Sequence, residues 1–180
     1  MPEAERSIPA QRADDGARDR ELLDTARLTE HTVRLYRAAY ALCGSTHDAE
    51  DLVQETYARV IRRPRFIRRD RDAAYLMRAL RNTWISDSRR RHARALEADL
   101  DSHLEEIETS GTDPDVTALE VRAAYAAILQ LSAPLREAIA AVDIVGLSYK
   151  QAAKALGVPE GTIMSRLYRA RERVATALES

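Results

Sequence analysis

Residues 147–174, LSYKQAAKALGVPEGTIMSRLYRARERV, decide the fold of this chain. Ala152, Ala153 and Leu156 give a first helix one apolar face. Gly157 follows, supplying the left-handed conformation that glycine adopts at little cost. Val158-Pro159-Glu160 then restarts a helix, because its first turn tolerates a missing N–H and favours a negative charge. On that second helix Ile163, Leu167, Ala170 and Val174 recur at i, i+4, i+7 and i+11 and face inward. Thr162, Ser165, Arg166, Tyr168 and Arg169 are left outward, a set suited to phosphates and base edges. An ordinary helical hairpin with a solvated basic face has the same periodicity. Small residues at the crossing, a glycine turn and an arginine-rich second helix together favour a DNA-binding helix-turn-helix.

The rest of the chain reads as helical too. Its 180 residues suffice for two small domains, and 45% apolar content permits real cores. Seven Tyr, one Trp and one Phe are few aromatics for β packing, and few segments alternate with period two. The expected fold is all-α: two small helical domains joined by a flexible acidic linker, the C-terminal one holding the helix-turn-helix. A single cysteine excludes an intramolecular disulfide, and the four histidines lack zinc-finger spacing. Cys43 and His47 have no second ligand pair, so Cys43 reads as a buried apolar side chain, and neither a metal nor a cofactor is expected. No apolar run is long enough to cross a bilayer and no signal-peptide core precedes residue 20, so a soluble cytoplasmic protein is expected.

Net charge is −1, but the charges are sorted into blocks. Residues 62–94 hold 12 bases and 3 acids, 95–117 hold 8 acids and no base, and 148–180 hold 6 bases and 3 acids. Blocks this sharply separated point to distinct partners. Residues 1–20 are polar and expected to be disordered. Residues 21–94 form a first helical domain, with helices from about Leu22 to Leu42, from Asp48 to Arg62 and from Asp72 to His92. Leu28, Val33, Leu35, Tyr36, Ala39, Tyr40 and Leu42 supply the inner face of the first. Leu52, Val53, Tyr57, Val60 and Ile61 are the apolar set of the second, and Leu76, Met77, Leu80 and Trp84 that of the third. Residues 95–117 are the tether, able to reach roughly 75–80 Å when extended. Residues 118–180 form the second domain, with SAP at 132–134 breaking two helices before the helix-turn-helix.

Two further surfaces carry chemistry. Arg62, Arg63, Arg65, Arg68, Arg69 and Arg71 crowd a loop, and Arg78, Arg81, Arg89, Arg90, Arg91 and Arg94 continue along the third helix. Cations at that density neutralise phosphates and release counterions. Phe66, Tyr75 and Trp84 are interleaved with them, and aromatics beside arginines suit unpaired bases. For Trp84 core packing is the stronger reading. Asn82 offers a donor and an acceptor to a base edge. On the second helix Asp51, Gln54 and Glu55 share one face at i, i+3 and i+4, which fits docking onto a basic helix; a solvated acidic face reads the same way from composition alone.

The blocks DAEDLVQETYARV (48–60), AYLMRALRNTWISDSRRR (74–91) and 147–174, in this order with a linker between, resemble bacterial RNA polymerase sigma factors of the extracytoplasmic-function group. The resemblance implies a transcription initiation factor, not an enzyme, that binds core RNA polymerase and promoter DNA. It acts on no small-molecule substrate, is not inserted in a membrane, and is held in check by an anti-sigma factor. By position, Asp51, Gln54 and Glu55 are implied to meet the polymerase. Phe66, Arg68, Arg69, Tyr75, Arg78, Arg81, Asn82, Arg89 and Arg90 are implied to hold the melted −10 element. Thr162, Met164, Ser165, Arg166, Tyr168 and Arg169 are implied to face the −35 element. This chain departs from the pattern at Met164, where a basic residue is common, and at Tyr75, where Trp is frequent. Its loop IRRDRD is also unusually rich in arginine. A dimeric helix-turn-helix regulator would account for 148–174 but leave the acidic helix and the aromatic-basic loop without a role. A serine recombinase would need an α/β domain, against which the lack of strand patterns before residue 95 argues.

Overall fold

A computed structural model describes residues 21–95 and 118–179, with side chains for 21–90 and 118–179. The N-terminal segment 1–20 and nearly all of the acidic tether lie outside the described residues. The elements are β1 (Glu21–Leu22), α1 (Thr25–Glu30), α2 (Thr32–Cys43), α3 (Thr46–Arg62), β2 (Phe66–Ile67), a 3-10 turn (Arg69–Arg71) and α4 (Asp72–Ala95). After the tether come α5 (Ala118–Leu129), α6 (Ala133–Ile139), a π-helical turn (Ala140–Ile144), α7 (Tyr149–Leu156) and α8 (Glu160–Leu178).

Helix ends follow local chemistry. Ser45 accepts a hydrogen bond from the Asp48 N–H at 3.3 Å and starts α3 two residues before the expected boundary. The break expected at Ser132-Ala133-Pro134 falls at residues 130–132, and the tripeptide opens α6, with Ser132 at the cap and the proline in the first turn. Ser148 and Gln151 form a reciprocal capping box on α7. Gly157 ends that helix at φ 68°.

The first expected helix is in fact two. Asp24 caps α1 by accepting from the Arg27 N–H at 3.0 Å, and the chain turns at His31 before α2 begins. Ahead of it Glu21 and Leu22 pair antiparallel with Ile67 and Phe66. The Phe66 loop therefore contains a short strand that periodicity does not reveal. Val33 and Ile61, assigned inward, are 57% and 54% exposed, so the apolar stripes of α2 and α3 are narrower than their composition suggests. Cys43 is half-buried rather than buried.

One apolar core crosses both modules. It includes Leu35, Leu42, Leu52, Leu76, Met77 and Leu80 from the first and Leu147, Ala152, Leu156, Ile163 and Leu167 from the second. The two modules meet along α2 and α4 on one side and α5, α6, the π-helical turn and α7 on the other. Gly44 shows how close the approach is. It ends α2 at φ 80°, and a Cβ there would stand 3.1 Å from Cδ2 of Leu129 on α5. Beside it the Arg136 guanidinium donates to the Leu42 carbonyl at 3.1 Å and lies over the Trp84 ring, 5.9 Å from its centroid. Tyr40 and Tyr125 add an edge-to-face pair at 5.3 Å.

Candidate nucleic-acid and polymerase interfaces

The recognition helix presents the face its periodicity implies. Ile163, Leu167 and Ala170 are buried, whereas Met164, Ser165, Tyr168 and Arg169 are exposed, Tyr168 at 71%. Thr162 and Arg166 are half-buried, on the flank of that face. The Ser165 hydroxyl donates to the Thr162 carbonyl at 3.1 Å. Arg171, one turn on, is engaged by a bidentate bond to Asp143 at 2.6 and 3.0 Å, which fixes the π-helical turn against α8.

The acidic face of α3 stands clear of the core. Asp51 and Gln54 are exposed and Glu55 is half-exposed. With Cys43, Asp48, Leu52, Asp87 and Arg90 they border a shallow depression of about 240 Å³ between α3 and α4, although Gln54 itself lies outside its rim. Arg59 donates to Glu55 at 2.7 Å, and this bond holds the Glu55 carboxyl below the usual carboxylate range. Glu55 is therefore a fixed negative charge beside Asp51, with an apolar floor at Leu52.

The nine residues grouped as one −10 set do not form one cluster. Phe66 is 68% exposed on β2, with Arg69 exposed and Arg68 half-buried beside it. Arg69 pairs with Glu30 at 2.6 Å, and Arg68 Nε lies 3.3 Å from Asp70. Tyr75 packs half-buried against the core one turn into α4. Arg78 and Asn82 point to solvent from the same helix. Arg81 turns toward the other module, its Nε 3.0 Å from a Glu137 carboxylate that is 7% exposed. Arg89 and Arg90 are exposed about five turns beyond Asp72, roughly 27 Å along the axis. Arg90 pairs with Asp87 and borders the acidic depression, not Phe66. Trp84 is core, 7% exposed.

Sequence reasoning missed the groups that hold the Phe66 loop. Arg27 and Asp72 form a bidentate pair, Nε to Oδ2 at 2.9 Å and Nη2 to Oδ1 at 2.6 Å, with side chains 6% and 1% exposed. The same guanidinium donates to the carbonyls of Leu22 at 2.9 Å and Ile67 at 3.2 Å. No local pattern flags Arg27. It also missed Arg136 and Glu137, which join the modules.

The fold and surfaces describe two helical modules, one holding a helix-turn-helix with an exposed polar face, and a separate exposed acidic face on α3. Comparison with known proteins gives the family. Residues 28–94 match the model of sigma-70 region 2, and residues 122–174 match that of sigma-70 region 4. The chain is 34% identical over 148 residues to the ECF RNA polymerase sigma factor SigE of Mycolicibacterium smegmatis, covering 81% of this chain and 57% of that protein. It is 36% identical over 142 residues to the ECF sigma factor EcfG of Rhodopseudomonas palustris, covering 78% and 76%. Among solved structures it is similar to the sigma factor RpoE of Bartonella quintana in complex with the anti-sigma factor NepR. There the TM-score is 0.69 and identity 29%, with 86% and 95% of the two chains covered. It is also similar to CnrH in complex with the cytosolic domain of CnrY, with a TM-score of 0.57, 25% identity and 84% of each chain covered. The chain belongs to the sigma-70 family, in its extracytoplasmic-function group. Sigma factors of this family are non-enzymatic initiation factors that direct RNA polymerase to promoters. Among the described residues no helix is long and apolar enough to cross a membrane.

Proposed function

We propose that this sigma factor divides its work among three surfaces. Asp51, Gln54 and Glu55 dock on core RNA polymerase. The Phe66 loop with Arg68, Arg69, Tyr75, Arg78 and Asn82 holds the melted −10 strand, and Met164, Ser165, Tyr168 and Arg169 read the −35 duplex, with Thr162 and Arg166 on its backbone. The observation that carries this is the separation of an exposed aromatic among arginines from an exposed recognition-helix face, each on its own module. Domains 21–94 and 118–180, joined by the acidic tether 95–117, are the working units, acting in the cytoplasm where the polymerase is.

Arg81 has a different part. Its pairing with Glu137, like the Arg136–Trp84 contact, belongs to the surface between modules. In this reading the modules part when both promoter elements are gripped, and Arg81 reaches DNA only then. Arg89 and Arg90 stand nearer the polymerase face and serve phosphates upstream of the melted bases. One structural neighbour was captured with an anti-sigma factor and the other with the cytosolic domain of CnrY, which supports an anti-sigma partner for this chain.

Reconstitution tests the reading. Core polymerase with the chain should start transcripts on promoter fragments at positions it does not use alone; identical starts with and without the chain would refute it. In the same assay Asp51→Arg should weaken holoenzyme assembly at least about tenfold while helical content by circular dichroism is unchanged.

A further inference from the structure

We infer that Arg27 and Asp72 are positioning residues for −10 recognition, setting the register in which Phe66 is presented. The inference rests on the assignment of Phe66 to the melted strand. Strand β2 is two residues long, and its side chains alternate: Phe66 is exposed while Ile67 is half-buried and packs on the core. A slip of one residue would exchange them, turning the aromatic inward and the isoleucine outward. An isolated two-stranded pair of this length is marginal by itself. What fixes it is the Arg27 guanidinium, whose donors engage the Leu22 carbonyl on one strand, the Ile67 carbonyl on the other and the Asp72 carboxylate at the start of α4. The Leu23 N–H, donating to the Arg65 carbonyl at 3.1 Å, closes the same join. The planar fork of arginine makes all four bonds at once. A lysine ammonium can satisfy the buried carboxylate but cannot also span both carbonyls.

The test uses holoenzyme, formed from the full chain and core polymerase, on a pool of duplex promoter fragments randomised over both elements, with transcripts sequenced. Wild type, Arg27→Lys and Phe66→Ala are compared. Base preference in the −10 element should fall about tenfold with either variant, the scale of one lost base contact. Preference in the −35 element should stay within about twofold. A purely structural pair would depress both elements alike. If Phe66→Ala erases −10 preference and Arg27→Lys keeps it, the positioning role is overturned and the loop assignment stands. If neither variant changes it, the loop assignment itself fails and this inference with it. Because the lysine variant could destabilise the first module, Arg27→Met/Asp72→Leu, which removes both charges and restores apolar volume, is run beside it with the same expectation. Failure of both variants to form holoenzyme, seen as the absence of a native-gel shift, would overturn the inference in favour of a pair needed only for folding.

Discussion

The two surfaces proposed to face DNA are held in opposite ways. The recognition face of α8 is over-determined: Ile163, Leu167 and Ala170 are all buried on the opposite side of one continuous helix, so displacing one exposed side chain means rotating the whole element. Phe66 sits on a strand of two residues that a single buried guanidinium ties to its partner strand and to the start of α4 through four hydrogen bonds. The difference suits the tasks assigned to the two surfaces. A preformed duplex groove accepts a rigid helix, whereas a flipped base needs one aromatic in one place on a surface that can wrap a single strand. Regular structure supplies the first cheaply. The second needs an irregular loop, and an irregular loop needs a polar anchor because its backbone groups have few partners of their own.

The sharpest way to break this contrast is to remove one half of the anchor. Asp72→Ala leaves the Arg27 charge buried without its partner, and removing one member of a buried pair costs about 3–5 kcal/mol. Urea denaturation should show that loss, and sequence preference in the −10 element should fall with it. A loss below about 1 kcal/mol would mean that water already reaches the pair, and the loop would then owe its shape to something else.

That anchor also marks the limit of what the sequence discloses. The helix-turn-helix is legible because its information is local: apolar residues at helical spacing, a glycine between them, and arginines on the other face all lie within 28 residues. Arg27 and Asp72 are 45 positions apart, and nothing near Arg27 separates it from the other 27 Lys and Arg residues of the chain. The strand pair is illegible for a similar reason, since two residues are too few to establish a period. The closure of one module on the other rests on Gly44, Arg136 and Glu137, and each has an ordinary local reading: a helix end, a surface cation, a surface acid. Only tertiary contact reveals that Glu137 is buried and that Arg136 caps the last turn of a helix in the other module.

Gly44 and Gly157 turn that distinction into a measurement of intermediate size. Both end helices with positive φ, 80° and 68°, so alanine at either should cost about 1–2 kcal/mol from backbone strain. Around Gly157 nothing lies within 4 Å of an added Cβ, so strain is the whole effect. At Gly44 the added atom also meets Leu129 at 3.1 Å across the module boundary. Gly44→Ala should therefore lower stability more than Gly157→Ala, and it alone should raise the rate at which a protease cuts between the modules. Equal losses would show that the modules give way at that point without cost.

The smallest expected effect tests whether the second module needs any polar anchor at all. Ser148 accepts from the Gln151 N–H at 3.3 Å, while the Gln151 side-chain oxygen accepts from the Ser148 N–H at 2.9 Å. Ser148→Ala removes only the first of these bonds, because the backbone N–H that serves the second is retained. The cost should be about 0.5–1 kcal/mol, at the lower end for a lost helix cap. Gln151→Ala removes only the second bond of the box, since its own backbone N–H still serves Ser148, but it also removes the bond from its amide to the Asp70 carbonyl at 3.1 Å, on the turn that leads into α4. Its loss by thermal denaturation should exceed that of Ser148→Ala by no more than about 1 kcal/mol, since both lost bonds are exposed. Neither variant should alter base preference in the −35 element, because the apolar stripe of α8 holds the recognition face without help from the end of α7. A change in that preference would mean that the helix-turn-helix, like the Phe66 loop, depends on a polar contact for its aim.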